Sequence, residues 1–278
     1  MQTPGRTRSR RRSRRVEFVS DPVLGLTVRK PATRATYGVH ALLTHLTNVG
    51  FAGAPRSFGV DEQERHVLEY VPGTTADEDG PFDHADLTRL GELVRDLHDA
   101  AESFEPPPGV QWQVTIPVPA ATPGTSTSSA PSASSASSPS STRSEIVCHH
   151  DISPWNLVRD GERWVLLDWD GAGPGGRVDE LASVGQAFLP LQPGGDPHDD
   201  GARLRSLVDG YGLTASQRPE LVQATADHTR TVYELLVDGA RTGEEPWASL
   251  HAAGHAERWE SMSDYVHRHR GELRAALR

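Results

Sequence analysis

Alternating apolar and polar positions near the start of the chain predict a small β-rich unit. Residues 16–30 alternate on both sides of a Ser-Asp-Pro turn, which is typical of two short strands. Residues 56–60 and 66–71 predict a second pair of strands, joined by a charged turn. Between the two pairs, apolar residues at helical spacing predict a helix over 36–46. The order β-β-α-β-β is that of a small mixed α+β lobe, which we assign to residues 16–74.

The rest of the chain is predicted to be mostly helical. Residues 83–101 give the clearest helix, because a stripe of apolar side chains follows Asp83, a residue that can cap a helix. Two short strands are predicted at 146–148 and 164–167. The end of the chain predicts four helices, at 178–189, 200–211, 217–238 and 245–276. We therefore expect a larger helical lobe over residues 75–278.

Two segments are too polar to pack into either lobe. Residues 1–15 contain seven arginines and no acid, which predicts a disordered tail. Such a tail could bind nucleic acid weakly or contact an anionic surface; the alternatives are a solvated tail or a misplaced translation start. Residues 117–144 consist almost wholly of Ser, Ala, Thr and Pro, which predicts a flexible, disordered insertion within the larger lobe.

Charge and composition narrow the classes of function. Outside the arginine tail, the chain carries 21 basic and 38 acidic residues, a net charge of −17 that disfavours nucleic acid and favours cationic ligands. The single cysteine, Cys148, excludes an internal disulfide or a multi-cysteine metal site, and we expect it to be a small buried residue. No apolar stretch approaches the roughly 20 residues of a membrane span, and no apolar signal segment follows the basic start. These features predict a cytoplasmic protein.

The candidate chemistry lies between residues 149 and 170. Asp151 is followed five residues later by Asn156, and Asp168 comes at the end of an apolar strand. This spacing is that of the catalytic loop and the metal-binding strand in kinase-like phosphotransferases. Mg²⁺ prefers hard oxygen ligands, which an amide and a carboxylate supply. A separate carboxylate can orient an acceptor hydroxyl and accept its proton.

With their surroundings, these residues resemble the aminoglycoside phosphotransferase family, which shares its fold with choline kinases and, more distantly, with protein kinases. The segments that carry the resemblance are His149-His150-Asp151 with Asn156, Leu167–Gly173, Val178–Ala182, Leu68–Gly73 and Leu97-His98. The resemblance implies a two-lobed, protein-kinase-like α+β fold, with a small β-rich N-terminal lobe and a larger helical C-terminal lobe. It implies that Asp151 is the catalytic base, that His149 anchors the catalytic loop, and that Asn156 and Asp168 are the Mg²⁺ ligands.

The resemblance also places a nucleotide against the small lobe. The segment that matches the family's hinge, whose backbone would hydrogen-bond adenine, comprises Glu69, Tyr70 and Val71. For the cation that binds the phosphates, Arg29 is the first choice and Lys30, the only lysine of the chain, is the second. The small lobe looks truncated, because no glycine-rich loop precedes these two residues. The helical Glu that pairs with this cation in the family falls near Val39.

We therefore expect an ATP-dependent phosphotransferase that uses Mg²⁺ and phosphorylates a hydroxyl of a small molecule. The acidic body makes an amino-bearing, cationic acceptor such as an aminoglycoside plausible, and other hydroxyl compounds stay open. Acidic residues of the last helices could line a pocket for such a cation or form a solvated face. The alternative from another class is a catalytically silent, pseudokinase-like binding or scaffold protein, which the shortened small lobe favours.

The same segments allow other interpretations. His149 and His150 could be metal ligands of a hydrolase, although adjacent side chains on an extended segment point in opposite directions. Gly171–Gly176 is expected to be a turn behind the metal strand, since it does not open a helix as a phosphate loop does. By the resemblance, Asp170 would assist the site indirectly and Asp179 would be an acid behind it.

Overall fold

A computed structural model describes residues 16–116, 145–189 and 191–278, so the predicted arginine tail and the predicted Ser/Ala insertion lie outside the described residues. The small lobe has the predicted order of elements. Its bounds are β1 (Glu17–Asp21), β2 (Gly25–Pro31), α1 (Thr36–Asn48), β3 (Ser57–Val60) and β4 (Arg65–Glu69). The four strands form one antiparallel sheet in the order β1-β2-β4-β3. Both predicted strand pairs and the helix between them are confirmed.

The turn between β1 and β2 shows why the sequence forms a hairpin here. The Asp21 carboxylate accepts hydrogen bonds from the backbone N–H groups of Val23 and Leu24, which closes an Asx-type turn. Gly25 then adopts a φ of 80°, a conformation that costs glycine little. The register that follows pairs Phe18 with Val28 and fixes which β2 side chains share a face.

Five short strands belong to the larger lobe. They are β5 (Thr74–Thr75), β6 (Glu145–Cys148), β7 (Leu157–Asp160), β8 (Arg163–Leu166) and β9 (Gly173–Gly176). Strands β7 and β8 form a hairpin to which β5 adds, and β6 pairs with β9. The expectation of a turn over Gly171–Gly176 is therefore wrong for most of that segment. Its last four residues are a strand, because β6 supplies the hydrogen-bonding partner that glycines by themselves do not predict.

Seven helices of the described chain complete the larger lobe. They are α2 (His84–Ala101), α3 (Arg177–Phe188), α4 (Pro197–Tyr211), α5 (Arg218–Thr242), α6 (Trp247–Ala252), α7 (His255–Arg268) and α8 (Arg270–Ala276). Asp83 caps α2 as expected, through a reciprocal capping box with Asp86. The single last helix predicted for 245–276 is wrong. The chain breaks at Gly254, whose φ of 82° is left-handed, and again at His269.

One hydrophobic core joins the two lobes. It runs from Leu42, Leu43 and Leu46 of α1 through the apolar stripe of α2 to Leu181 of α3. Helices α2 and α4 pack closely because Gly91 leaves no side chain between them, and an added Cβ would meet the backbone carbonyl of Leu207. None of the helices described for the chain is long and apolar enough to cross a membrane.

Candidate active site

The β7–β8 hairpin brings the two predicted metal ligands to the same end of the sheet. Asn156 directly precedes β7, and Asp168 follows β8 by two residues. The backbone N–H of Leu167 donates to the carbonyl of Asn156 at 2.7 Å, so the hairpin is closed beside both residues. Asp168 adopts a φ of 60°, and the chain turns there into the short helical turn Trp169–Gly171. The predicted pairing of these two residues is thus a feature of the local backbone.

Asp151 lies on the loop next to this hairpin and is bound to Asn156. The Asn156 Nδ2 donates to the Asp151 Oδ2 and to the Asp151 backbone carbonyl, each at 2.9 Å. Because the amide nitrogen faces Asp151, the amide oxygen is directed elsewhere, and no hydrogen bond from the described residues reaches it. The structure therefore brings together the predicted base and the predicted amide ligand, five residues apart in sequence.

His149 connects the loop to the strand that carries Asp168. Its Nδ1 accepts from the backbone N–H of Asp151 at 3.2 Å, and its Nε2 donates to the carbonyl of Leu167 at 2.9 Å. The ring is fully buried and lies 4.5 Å from the Trp169 ring, centroid to centroid. Burial lowers the pKa of His149, so the neutral form that satisfies both hydrogen bonds is favoured. This geometry is what the predicted anchoring role requires.

A buried carboxylate, Glu180 at the start of α3, lies beneath the loop. Its Oε1 accepts from the backbone N–H of His150 at 2.6 Å, and its Oε2 accepts from His98 Nε2 at 2.7 Å. His98 in turn hydrogen-bonds to the Tyr211 hydroxyl at 2.7 Å. Burial alone would raise the pKa of Glu180, but the hydrogen bond and the charge interaction with His98 lower it to about 2. Glu180 is therefore an ionised group that fixes the residue immediately before Asp151.

The sequence predicts Asp179 as an acid behind the site, and the structure adds the adjacent Glu180, whose contact with the loop the sequence did not predict. Both residues lie in the first turn of α3, but only Glu180 points into the core, where its side chain is buried. The neighbouring Leu181 and Ala182 are fully buried as well. The start of the helix relative to the core decides which of two adjacent acids faces inward, and the sequence does not define that start.

Lys30 of β2 reaches across the cleft to two aspartates that follow β8. Its Nζ lies 2.8 Å from the Asp170 Oδ1 and 3.3 Å from the Asp168 Oδ1. The lysine side chain is almost buried, whereas that of Asp168 is 55% exposed. A cation of the small lobe thus faces the carboxylates that would hold a metal, as phosphate binding requires.

The preference for Arg29 over Lys30 is wrong in geometric terms. Successive side chains of a strand point to opposite faces of the sheet, so only one of the two can face Asp168. The Arg29 guanidinium lies on the opposite face, paired with Asp21 at 3.1 Å and Asp61 at 3.2 Å. The alternation of residues along β2 could have predicted this choice. Leu26 and Val28 share a face with Lys30, and their apolar side chains mark that side of the sheet as the one with apolar neighbours.

The predicted hinge follows β4 directly. The Glu69 side chain is used for structure, because its carboxylate pairs with Arg163 at 3.2 Å and accepts the backbone N–H of Arg56 at 2.9 Å. The backbone N–H groups of Glu69 and Tyr70 also donate within the sheet. The N–H of Val71 has no hydrogen-bond acceptor among the described residues. Of the three hinge residues, Val71 therefore offers a donor to a bound base.

An apolar face lies next to this hinge. Phe18, Leu26 and Val28 share one face of the sheet, and Tyr70 follows β4 beside Leu26. The Phe18 and Tyr70 rings form an edge-to-face pair with centroids 5.8 Å apart. The Phe18 and Leu26 residues are 64% and 45% exposed. Exposed apolar side chains near a free backbone N–H fit a flat heterocyclic base.

The donor set at the hairpin end fits a divalent cation such as Mg²⁺. It consists of the Asn156 amide oxygen and the Asp168 carboxylate, both hard oxygen ligands, with the Asp170 carboxylate close by. The alternative hydrolase site at His149 and His150 gains no support. Within the described residues, the group of His, Cys and acidic side chains that could share a metal is His98, Cys148 and Glu180. That group is buried and mutually paired, and burial followed by the Glu180 charge raises the pKa of the Cys148 thiol.

Comparison with known proteins identifies relatives along most of the chain. A family profile described as "Phosphotransferase enzyme family" matches residues 129–230. The trifolitoxin immunity protein of Rhizobium leguminosarum bv. trifolii is 31% identical over 258 residues, which cover 86% of this chain and 87% of that protein. The match to a phosphotransferase profile confirms the resemblance drawn from the motifs.

Solved structures of small-molecule kinases share the fold. An amicoumacin kinase in complex with AMP-PNP, Ca²⁺ and Ami superimposes with a TM-score of 0.58 at 13% identity, over 90% of this chain and 88% of that one. A microcompartment-associated aminopropanol kinase superimposes with a TM-score of 0.56 at 16% identity, over 95% of this chain and 90% of that one. A choline/ethanolamine kinase family protein from Mesorhizobium loti superimposes with a TM-score of 0.54 at 14% identity, over 90% of this chain and 87% of that one. The predicted two-lobed, kinase-like α+β fold is confirmed.

Proposed function

Because the chain belongs to the phosphotransferase enzyme family, we propose that it transfers the γ-phosphoryl group of ATP to a hydroxyl of a small molecule. The observation that carries this proposal is the convergence of four side chains at the cleft: Asp151, Asn156, Asp168 and Lys30. They provide a candidate base, two oxygen ligands for a metal and a cation for phosphate.

Each of these groups has a distinct task in the proposed reaction. Asp151 orients the acceptor hydroxyl and takes its proton as the new phosphoester bond forms, while the bond between the γ-phosphorus and the bridging oxygen breaks and ADP leaves. Asn156 and Asp168 hold Mg²⁺, which supplies neutralisation of the charge on the transferring phosphoryl group. Lys30 binds the phosphates from the small-lobe side, so the donor is held between two positively charged partners. The Val71 N–H and the apolar face at Phe18 receive the adenine.

The acceptor is proposed to carry an amino group. Outside residues 1–15 the chain has a net charge of −17, and an acidic protein attracts cationic solutes. The names of two structural relatives include amicoumacin and aminopropanol, which gives this class of acceptor a precedent in the fold. The relative known as an immunity protein adds a biological setting, in which the acceptor is a toxic compound that phosphorylation would inactivate.

The first test is a thermal shift of the purified protein with Mg²⁺-ATP, beside Asp168→Ala. A ligand present at 100 times its Kd stabilises the folded state by about 2.7 kcal/mol, so we expect a clear rise in Tm that the variant loses. A cooperative melt with no shift at millimolar nucleotide contradicts the proposal. That result would favour the second candidate, a silent binding protein, which is suggested by the absence of acidic residues from α1.

The second test measures transfer itself with a panel of amino alcohols and aminoglycosides. We expect Asp151→Asn to bind Mg²⁺-ATP as the parent does and to lose at least about 10²-fold in kcat, since proton acceptance by a positioned base is worth about 10²–10⁴-fold. Nucleotide binding without transfer to any hydroxyl compound would leave the silent protein as the better account.

A further inference from the structure

We propose that Asp170 is the positioning residue for Lys30, a task that no residue of helix α1 performs in this protein. This inference rests on the proposed function, because it concerns how the phosphate-binding cation is held. The relevant distances are 2.8 Å from the Lys30 Nζ to the Asp170 Oδ1 and 3.3 Å to the Asp168 Oδ1. The shorter contact is therefore the ion pair with Asp170, the acid two residues beyond Asp168, whereas the hydrogen bond donated by the Lys30 Nζ goes to Asp168.

Burial favours the same assignment. The side chain of Asp170 is 21% exposed and that of Lys30 is 11% exposed, whereas that of Asp168 is 55% exposed. A charge pair that is shielded from water interacts more strongly than one in contact with it, because screening is weaker. Asp168 also has a second task, since it is proposed to bind the metal. The Lys30–Asp170 contact can persist when Asp168 does so.

Helix α1 offers Lys30 no carboxylate. Its residues, Thr36–Asn48, contain no acid, and the polar contact between α1 and the sheet runs through two histidines and a serine. His40 Nδ1 and His66 Nε2 each lie 2.8 Å from the Ser57 Oγ. His66 faces Lys30 across the β2–β4 ladder, and burial followed by the charge of Lys30 lowers the pKa of His66 to about 4. The small lobe thus supplies a neutral histidine beside Lys30, and the counter-charge comes from the larger lobe.

This arrangement has a functional consequence. Asp168 and Asp170 lie on one short segment, so the same three residues set the metal position and the direction of the phosphate-binding cation. In this protein, alignment of Lys30 with the metal depends on the Asp168–Asp170 segment and does not require α1 to move. A small lobe whose helix α1 has no acid is then compatible with catalysis.

The test uses the fact that Lys30 is the only lysine of the chain. With ¹³C-labelled lysine, the full-length protein gives a single ε-methylene signal, and its order can be measured without nucleotide or metal. We expect a restricted methylene in the parent and a mobile one in Asp170→Asn, with order partly restored in Asp170→Glu. Asp227→Asn, an exposed change on α5, is the matched control and should leave the signal as in the parent. A Lys30 methylene that stays restricted in Asp170→Asn overturns the proposal.

Kinetics then separate positioning from metal binding. In Asp170→Asn we expect the KM for ATP to rise roughly 10-fold, because a misdirected cation loses its contact with phosphate, with the Mg²⁺ concentration for half-maximal rate unchanged. A raised Mg²⁺ requirement with unchanged Lys30 order would mean that Asp170 is a metal ligand instead. If the parent transfers no phosphate, the proposed function fails, and the order of the Lys30 methylene alone then decides whether Asp170 positions Lys30. If the parent is active and Asp170→Asn keeps its KM, only the present inference fails.

Discussion

The two sides of the cleft are built in different ways. The catalytic-loop side is formed by His149–Asn156 and the residues beneath it. Here His149, Glu180 and His98 are fully or almost fully buried. Glu180 is hydrogen-bonded to His98 and to the loop backbone, and His149 is hydrogen-bonded to the loop backbone as well. On the Lys30 side, formed by β2 and the Asp168–Asp170 segment, the charged groups form direct ion pairs at 2.8 and 3.3 Å, and the Asp168 side chain is 55% exposed. The first arrangement is complete without a ligand, while the second leaves charges that a ligand can engage.

This difference suggests how the site divides its tasks. A base must hold one orientation toward the acceptor before reaction. Buried hydrogen bonds fix that orientation in the folded protein, so no reorganisation of the loop is needed during turnover. Groups that bind a metal and phosphates must exchange partners when the nucleotide enters and leaves. Partial exposure and ion pairs near 3 Å permit such exchange. We therefore expect variants on the catalytic-loop side to cost more folding free energy than variants on the Lys30 side.

The largest expected effect is that of Glu180→Ala. Removing this carboxylate leaves the His98 ring and the N–H of His150 without their buried acceptor, and loss of one member of a buried charged network costs about 3–5 kcal/mol. The free energy of unfolding should fall by that amount, measured by urea denaturation. In fractions that remain folded, kcat should fall more than the KM for ATP changes, because the loop carries Asp151.

Two further variants serve as comparisons for the stability loss of Glu180→Ala. Glu180→Gln keeps the shape and one oxygen acceptor but loses the charge, so it should cost less than Glu180→Ala. Glu162→Ala removes an exposed glutamate in the β7–β8 turn and should stay within about 0.5 kcal/mol of the parent. A loss below about 1 kcal/mol for Glu180→Ala would show that this side of the cleft is no more firmly held than the other.

A medium effect is expected from His66, which lies within the small-lobe sheet on the Lys30 side. Its pKa in the folded protein is lowered from 6.5 to about 4, so the unfolded chain binds the proton more tightly. The contribution of His66 to stability is therefore complete above about pH 6.5 and is lost as the pH falls toward 4. A shift of this size corresponds to about 3 kcal/mol.

His66→Gln should remove its share of this pH dependence. The parent should lose stability between pH 6.5 and pH 4, and the variant should lose less, both followed by chemical denaturation at fixed ionic strength. Burial also lowers the pKa of His228 in α5 to about 4. The variant should therefore keep part of the dependence of the free energy of unfolding on pH. Identical slopes in the parent and His66→Gln would refute the assignment of this titration to His66.

Much of the fold was predictable because its signals are local. The apolar stripe of α2 and the alternation of apolar and polar residues around the Asp21 turn each predict an element from a short stretch of sequence. Neither prediction needs information on how the element packs in the core. The strand at Gly173–Gly176 was missed because its residues have no β preference and are held by pairing with β6, a distant segment. The break of the last helix at His269 does not coincide with a glycine or proline, and Gly271, two residues later, lies inside α8.

The site shows the same limit on a finer scale. The spacing of Asp151, Asn156 and Asp168 was enough to predict that these residues meet at one end of the hairpin, because they lie close in sequence. The choice between Arg29 and Lys30, like that between Asp179 and Glu180, depends on which of two neighbours faces inward. That is settled by sheet register and helix position, which are tertiary features.

The smallest expected effect compares Arg29 with Lys30, adjacent residues on opposite faces of β2. Arg29→Met should lower the Tm by about 2–4 °C, and by less at high salt, because it removes the ion pairs with Asp21 and Asp61, which are partly exposed. The thermal shift with Mg²⁺-ATP should be unchanged. Lys30→Met should leave the Tm of the free protein similarly little altered but reduce that shift, because it removes the cation that faces Asp168 and Asp170. A nucleotide shift lost in Arg29→Met and kept in Lys30→Met would reverse the assignment of the two faces and return the phosphate contact to Arg29.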